Sequence, residues 1–195
     1  MQSYPDWLSA TLASDATAGR GVLPPWITAL GPDNRVVGPA FVVHASQDDN
    51  AAVVQAAATP PPPGCVLVVG GQSTSRTATI GDLMALELRN LGVAGLVTDG
   101  LVRDAQEIRR LGLPVWCRGV TPTASAKRGP GLVGGAVIVG GALVRDGDLV
   151  IADGDGVVIW PAADYQELLA KAQTKLDSDN ARLARLRVAP SYAGT

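Results

Sequence analysis

The residues best suited to chemistry are one arginine and three acids that lie close together in the sequence. Asp82 follows Gly81 at a predicted helix start, and twenty residues separate it from the pair Arg103-Asp104. Glu107 comes one helical turn after Asp104, on the same helix face. Carboxylate oxygens without histidine or cysteine suit Mg²⁺ or Mn²⁺. The pattern therefore predicts a site for a hard divalent cation beside an arginine.

A helix N-terminus is expected to supply the anion-binding part of this site. Asp82 is a favourable N-cap, and the mostly apolar run Leu83–Leu91 predicts the helix that follows it. The free N–H groups of Leu83 and Met84 would point out of the first turn, where a carboxylate binds well. A plainer interpretation stays open, in which Asp82 only caps the helix and the later charges form a solvated cluster.

The elements that must position these residues alternate along the chain. Strands are predicted at Val36–Val43, Cys65–Val69, Val93–Thr98 and Pro114–Arg118, and helices at Asn50–Ala58, from Asp82, and at Asp104–Leu111. This β-α-β-α-β order is typical of parallel strands with right-handed crossovers, and ligands bind at the carboxyl ends of such strands. Asp82 and Arg103-Asp104 each follow a strand, so we expect them to converge at that edge.

The remaining segments complete one domain. A short helix is predicted around Leu8–Ala13. Glycine- and aspartate-rich turns predict antiparallel strands at Gly135–Val139, Ala142–Val144, Leu149–Ala152 and Val157–Trp160. A helix runs from Pro161 to about Arg187. We expect a single α/β domain with mixed sheets, in which residues 1–160 form the body and residues 161–195 form a C-terminal helix and tail.

Composition excludes several classes of protein. The chain has 195 residues, a net charge of −2 and 47% hydrophobic residues, which is typical of a soluble globular protein and not of a disordered one. The slight acidity argues against nucleic-acid binding. The apolar, uncharged stretch at residues 131–144 has five glycines and is too short to span a membrane. Without a recognisable signal peptide, we expect a cytoplasmic protein with no nucleic-acid or membrane partner.

Other catalytic groups are scarce. His44 is the only histidine, no GxSxG motif is present, and we interpret His44 as a surface or packed residue. Cys65 and Cys117 lie in apolar runs and are expected to be buried thiols. A Schiff-base mechanism would need a desolvated lysine, and the three lysines are Lys127, Lys171 and Lys175. Lys127 lies in a loop that is expected to be exposed, so this mechanism is disfavoured.

The segment GDLMALELRNLGVAGLVTDGLVRDAQEIRRLGLPVWCRGVTP closely resembles the RraA-like family, which includes the 4-hydroxy-4-methyl-2-oxoglutarate / 4-carboxy-4-hydroxy-2-oxoadipate aldolases. Further matches are VGPA at residues 37–40, Asp49-Asn50, PGCVLV at 63–68 and DGDGV at 153–157. Together they cover roughly residues 35–160. The resemblance implies an α/β sandwich of the swivelling β/β/α type. It also implies a homotrimer, or a hexamer of two trimers, with active sites between subunits.

The resemblance implies roles for the acids. Asp104 would bind Mg²⁺ or Mn²⁺ directly, Asp82 would support the metal through water, and Glu107 is a further candidate ligand. An acid from a neighbour's C-terminal helix completes the metal site in some aldolases. The candidates for that role here are Glu167, Asp177 and Asp179.

It also implies how substrate is held. The helix N-terminus at Gly81, Leu83 and Met84 would bind the pyruvate carboxylate, and Arg103 would face the keto oxygen. A metal-bound water held by Asp82 is the expected base for the C4 hydroxyl proton. Arg76 could reach a second carboxylate of the substrate or lie solvated in its loop.

The function implied is that of a divalent-metal-dependent class II pyruvate aldolase, which cleaves a 4-hydroxy-2-oxo diacid to pyruvate and a second oxo acid. Oxaloacetate decarboxylation is expected as a side activity, because it passes through the same enolate. The alternative is a non-catalytic RraA-like regulator that binds a ribonuclease. The intact set Asp82, Arg103, Asp104 and Glu107 favours the enzyme.

Overall fold

The computed structural model describes residues 4–129 and 131–188. Its helices are α1 (Ala10–Thr17), α2 (Ala51–Ala58), α3 (Asp82–Asn90), α4 (Ala105–Leu111) and α5 (Tyr165–Val188), with a 3₁₀ turn at Ala162–Asp164. Its strands are β1 (Thr28–Ala29), β2 (Val36–His44), β3 (Val66–Gly70), β4 (Ala78–Ile80), β5 (Gly95–Thr98), β6 (Leu101–Val102), β7 (Val115–Cys117), β8 (Gly119–Val120), β9 (Leu132–Val133), β10 (Ala136–Val139), β11 (Ala142–Arg145), β12 (Leu149–Asp153) and β13 (Gly156–Trp160).

The main sheet has eight strands in the order β1-β7-β5-β3-β2-β12-β13, and β9 pairs with β2. Strands β2, β3, β5 and β7 are parallel to one another, whereas β12 and β13 are antiparallel. Every residue of β3 is buried, as its unbroken Val-Leu-Val-Val sequence requires of a strand covered on both faces. The predicted parallel β-α-β-α-β unit is confirmed.

A second, small sheet consists of β4, β6 and β8, all parallel. Each of its strands follows a main-sheet strand: β3 leads to β4, β5 to β6, and β7 to β8. The chain therefore crosses from the main sheet to the small sheet three times, and the strand order is the same in both. The sequence did not predict this layer, because its strands are only two or three residues long.

The β10–β11 hairpin packs over β2 and β3 and nearly closes the sheet into a barrel. Its turn residues Gly140 and Gly141 both have positive φ, 55° and 86°, as a two-residue hairpin turn of this hand requires. Gly70 lies directly beneath, where a Cβ atom would stand only 2.3 Å from the Ile138 carbonyl oxygen. Glycine at this position allows the hairpin to approach.

Helices α1 and α5 cover the outer face of β12 and β13 with a core that contains Leu8, Ala13, Trp160 and Leu168. Trp160 Nε1 donates a hydrogen bond to the Ala13 carbonyl oxygen at 3.2 Å, which joins α1 to the sheet. Within residues 4–129 and 131–188, no helix is long and apolar enough to cross a membrane. The expected mixed α/β single domain with a C-terminal helix is confirmed, and residues 189–195 of the predicted tail lie outside the described part.

Candidate active site

The small sheet brings the predicted site residues together. Strands β4 and β6 are parallel neighbours that end at Ile80 and Val102, and the Arg103 N–H donates to the Ile80 carbonyl oxygen at 3.0 Å. Asp82 and Arg103-Asp104 therefore lie side by side, as predicted. The strands that position them were wrongly assigned, however: the residues follow β4 and β6 rather than the long strands of the main sheet, because the chain leaves that sheet at Gly70 and Thr98.

Asp104 has an unusual backbone conformation that directs its side chain. It precedes α4 with φ 53° and ψ 40°, in the left-handed region that aspartate tolerates better than most residues. Its carboxylate does not cap α4. Instead, Oδ2 lies 3.2 Å from Arg103 Nε and 3.4 Å from the backbone nitrogen of Asp82. The Asp104 carboxylate is thus held at the start of α3.

Asp82 is not the N-cap that the sequence predicted. Gly81 occupies that position, and Asp82 is the first residue of α3. From there its Oδ1 accepts the N–H of Leu83 at 2.8 Å, so the Leu83 donor is paired and not free as expected. A carboxylate that bound to Leu83 would have to displace Asp82. The N–H of Met84, in the first turn of α3, lacks an intrahelical acceptor and stays a candidate donor.

Close approach explains the glycine before α3. A Cβ atom at Gly81 would lie 2.6 Å from Asp104 Oδ2 and 2.7 Å from Arg103 Nε. Both contacts are shorter than real Cβ atoms show. Only glycine leaves the Arg103-Asp104 pair in its place. About two fifths of each of these two side chains is exposed, 39% for Arg103 and 38% for Asp104.

A cavity of about 310 Å³ opens beside this pair. The four residues predicted to bind substrate all line it: Gly81, Leu83, Met84 and Arg103. Sequence reasoning missed four polar residues of its lining: Asn50, Glu87, Ser125 and Lys127. The Asp49-Asn50 match to the family was a signal for Asn50. No comparable signal marked Glu87, Ser125 or Lys127, because polar residues in a helix or a loop are typical of any solvent-exposed surface.

The wall of the cavity on the opposite side of β4 from Arg103, called the far wall below, is formed by residues 123–128 and is anchored by backbone hydrogen bonds. The N–H of Ala78 in β4 donates to the Thr123 carbonyl oxygen at 2.9 Å. The N–H of Asn50 donates to the Ala126 carbonyl oxygen at 3.0 Å. Asn50 is only 9% exposed, and its Nδ2 donates to the Thr79 carbonyl oxygen at 3.0 Å. The far wall is therefore tied to β4 and to the start of α2.

Asp48 holds the loop that leads into β4. Its Oδ1 accepts the N–H groups of Arg76 and Thr77 at 2.7 and 3.1 Å. The hydrogen bond from the Arg76 N–H is the main cause that lowers the pKa of the Asp48 carboxyl below its ordinary value. The side chain of Arg76 is exposed and does not line the cavity, which favours the solvated-loop interpretation.

Glu107 and the acids of α5 have local partners. Glu107 pairs with Arg110 on the same helix, Glu167 with Lys171, and Asp179 with Lys175. Asp177 accepts a hydrogen bond from Gln173. Among residues 4–129 and 131–188, no three His, Cys, Asp or Glu side chains are close enough together to hold a metal ion.

Asp82 and Asp104 nevertheless fit a hard cation. Mg²⁺ is commonly bound by one or two carboxylates while water and substrate fill its other positions, so it does not need an all-protein cage. Two carboxylates at one helix start, next to a cavity, are such a donor set. The nearby Arg103 and Met84 N–H offer positive charge and a donor to an anion that would share the cation.

Other residues that the sequence singled out lie elsewhere. Cys65 and Cys117 are free and buried, as expected, and burial raises the pKa of the Cys65 thiol to about 11. His44 is exposed and lines a different hollow. Lys127 lies on the cavity wall, closer to the site than its loop position suggested, but its side chain is exposed rather than desolvated. The geometry therefore gives little support to a Schiff base.

Fold and site together define a class of protein: a mixed α/β domain that places an Arg-Asp pair and a helix start beside one cavity. Within this class, the chain belongs to the RraA-like family, described as Aldolase/RraA, whose profile matches residues 10–159. The resemblance noted in the sequence is confirmed.

Individual relatives agree with this assignment. A protein of Halalkalibacterium halodurans named "Putative 4-hydroxy-4-methyl-2-oxoglutarate aldolase" is 37% identical over 90% of this chain and 83% of its own. The structure of RraAS2 from Streptomyces coelicolor, described as an unusual member of the RNase ES inhibitor RraA protein family, matches with a TM-score of 0.77 and 32% identity over 93% of this chain and 94% of that one. An uncharacterized Pseudomonas syringae protein shares the fold, with a TM-score of 0.83 at 24% identity over 95% of this chain and 91% of its own.

Proposed function

We propose that this protein is a divalent-metal-dependent aldolase that cleaves a 4-hydroxy-2-oxo diacid to pyruvate and a second oxo acid, with oxaloacetate decarboxylation as a side activity. One observation carries the proposal: the parallel ends of β4 and β6 bring Arg103 and the start of α3 to the wall of one cavity, and Asp104 is paired with Arg103 beside it. The aldolase name of the 37% identical relative supports it.

The chain's own residues divide the work of this reaction. Asp104 would hold a Mg²⁺ or Mn²⁺ ion directly and Asp82 would support it through water; the bound ion would polarise the keto oxygen of a 2-oxo acid and stabilise negative charge there. Arg103 supplies a fixed cation to the same oxygen as the C3–C4 bond breaks. A preorganised donor of this kind is typically worth about 3 to 4 kcal/mol of transition-state stabilisation.

The first turn of α3 orients the substrate. The Met84 N–H, joined by the Leu83 N–H when Asp82 moves aside, binds the carboxylate of the pyruvate half. Asp82, once displaced, is free to orient the water that accepts the C4 hydroxyl proton. Asp82 and the substrate carboxylate thus compete for the same Leu83 N–H, so we expect Asp82 to release this donor when substrate binds.

Pyruvate release from a 4-hydroxy-2-oxo diacid, coupled to lactate dehydrogenase, tests the proposal. We expect EDTA to abolish release and Mg²⁺ or Mn²⁺ to restore it. Arg103→Ala should lower kcat by about a hundred- to a thousandfold, because it removes the fixed cation. Arg89→Ala, at the opposite end of α3, is the matched control and should retain activity. Full activity in EDTA or in Arg103→Ala would contradict the proposal.

A second candidate function rests on the Streptomyces coelicolor match. RraAS2 is described as a member of the RNase ES inhibitor RraA protein family. The alternative function for this chain is therefore regulation of a ribonuclease. The two functions separate experimentally. A regulator should slow a purified RNase E-type enzyme on a model RNA, and Arg103→Ala should leave that inhibition intact.

We also propose that the protein forms a homotrimer or a hexamer with its sites between subunits. The half-exposed Arg103-Asp104 pair supports this, as does Leu83, which lines the cavity and yet is 76% exposed. A neighbouring subunit would cover the Arg103-Asp104 pair and Leu83, and so exclude water from the reacting atoms.

A further inference from the structure

Lys127 lies across the cavity from the residues that hold the 2-oxo acid. Arg103 follows β6, which pairs with one side of β4, and residues 123–128, which include Lys127, lie along the other side of β4. These two are the only cationic side chains among the described residues that line the cavity. A ligand that spans the cavity from one side of β4 to the other can therefore meet both positive charges.

The backbone on both sides of Lys127 is fixed. On one side, the Ala126 N–H donates to the Asp48 carbonyl oxygen at 3.0 Å, and the Ala126 carbonyl oxygen accepts the N–H of Asn50. On the other, the N–H of Arg128 donates to Asp49 Oδ2 at 2.7 Å, and Asp49 is buried. The lysine is thus presented from an anchored segment, so its position relative to Arg103 is set by the fold.

Among the described residues, the ammonium of Lys127 has no carboxylate counter-ion. The other two lysines are paired, Lys171 with Glu167 at 2.6 Å and Lys175 with Asp179 at 2.5 Å. In the described part of the chain, no carboxylate lies within 4.0 Å of Lys127 Nζ, and this includes Glu87 on the opposite wall of the same cavity. The charge is available to an anionic ligand.

We propose that Lys127 binds the distal carboxylate of the substrate and so selects dicarboxylic over monocarboxylic 2-oxo acids. This rests on the proposed function, in which the 2-oxo acid end binds at Arg103 and α3. Glu87 repels a second carboxylate from the α3 wall and so favours the far wall. A lysine suits this task because its flexible stem carries a point charge that tolerates several chain lengths.

Binding of two matched ligands tests the role without any turnover. Calorimetry with Mg²⁺ compares 2-oxoglutarate with 2-oxopentanoate, which has the same five carbons and only one carboxylate. We expect the intact protein to bind 2-oxoglutarate about tenfold more tightly, as a charge-assisted hydrogen bond would provide. Lys127→Met should abolish this preference and leave the affinity for 2-oxopentanoate within twofold. Lys127→Arg should keep most of it.

Arg128→Met is the matched control, because it removes the same charge from the next residue, whose side chain does not line the cavity. It should retain the preference. The idea is overturned if Lys127→Met keeps the preference, if Arg128→Met loses as much, or if the intact protein binds both ligands equally. Thermal unfolding confirms that each variant is folded.

Pyruvate release measured on the same preparations separates this inference from the proposed function. Selective binding that depends on Lys127, without any cleavage, would contradict the aldolase and leave the role of Lys127 in place. Cleavage by the protein, together with a ligand preference that Lys127→Met leaves unchanged, would support the aldolase and contradict the role of Lys127.

Discussion

At the scale of single residues, Gly81 is the position where one added carbon should matter most for catalysis. A Cβ atom there would clash with both Asp104 Oδ2 and Arg103 Nε. We expect Gly81→Ala to displace this pair and to lower kcat/KM for pyruvate release about tenfold or more, since small misplacements of catalytic groups are costly. The measurement is steady-state kinetics at saturating Mg²⁺.

Gly154→Ala is the control for this change. Gly154 lies in a turn where the nearest atom to an added Cβ is the Pro32 carbonyl oxygen at 3.9 Å, an ordinary contact. Its variant should keep full activity. Unchanged kinetics in Gly81→Ala would mean that the Arg103-Asp104 geometry is not needed for the reaction.

Sequence reasoning found the types and the convergence of the main site residues but not their detailed contacts. Asp82, Arg103 and Asp104 were recognisable because charged residues after strands share a sheet edge. The Asp82–Leu83 contact was not predictable, because it depends on which of two adjacent residues caps α3. Lys127 was considered only as a Schiff-base lysine, and its place on the cavity wall was not predicted, because that depends on how its loop returns to β4.

At the scale of elements, the docking of the β10–β11 hairpin on β3 makes Gly70 sensitive. A Cβ atom would stand 2.3 Å from the Ile138 carbonyl oxygen and 2.5 Å from Val137 Cγ2. The hairpin would have to lift, and overpacking of this kind typically costs about 1 to 3 kcal/mol. We expect urea denaturation of Gly70→Ala to show a loss of that size, with Gly154→Ala unchanged. Equal stability of the two variants would contradict the close packing described here.

The elements themselves were predictable in proportion to their length. Helix α2 was predicted at Asn50–Ala58 and found at Ala51–Ala58, and β3 was predicted one residue early. Strands β4, β6 and β8 escaped prediction because two or three residues cannot display a period of two. Their pairing also joins segments about twenty residues apart, which no local pattern records.

At the scale of the whole molecule, an exposed apolar surface is a candidate contact for the proposed oligomer. Trp26, Ile138 and Leu143 line one hollow of about 640 Å³, and Ile138 is 61% exposed. We expect light scattering to give three or six times the chain mass of 20.0 kDa. Ile138→Asp should lower this mass, because a buried charge destabilises an apolar contact.

The control is Leu132→Asp, which changes a residue that is 68% exposed but lies outside that hollow. It should leave the mass unchanged. A monomer in solution, or an Ile138→Asp variant of unaltered mass, would show that this surface has another role.

The three crossings from the main sheet to the small sheet have a consequence for motion. Two of the three strands of the small sheet follow a buried main-sheet strand closely: two residues separate Thr98 from Leu101, and one separates Cys117 from Gly119. The two layers cannot slide independently without pulling on the core. Arg103 and Asp104 therefore keep their positions before substrate arrives, and catalysis should depend on a rigid, preorganised frame in which only side chains such as Asp82 and Lys127 adjust.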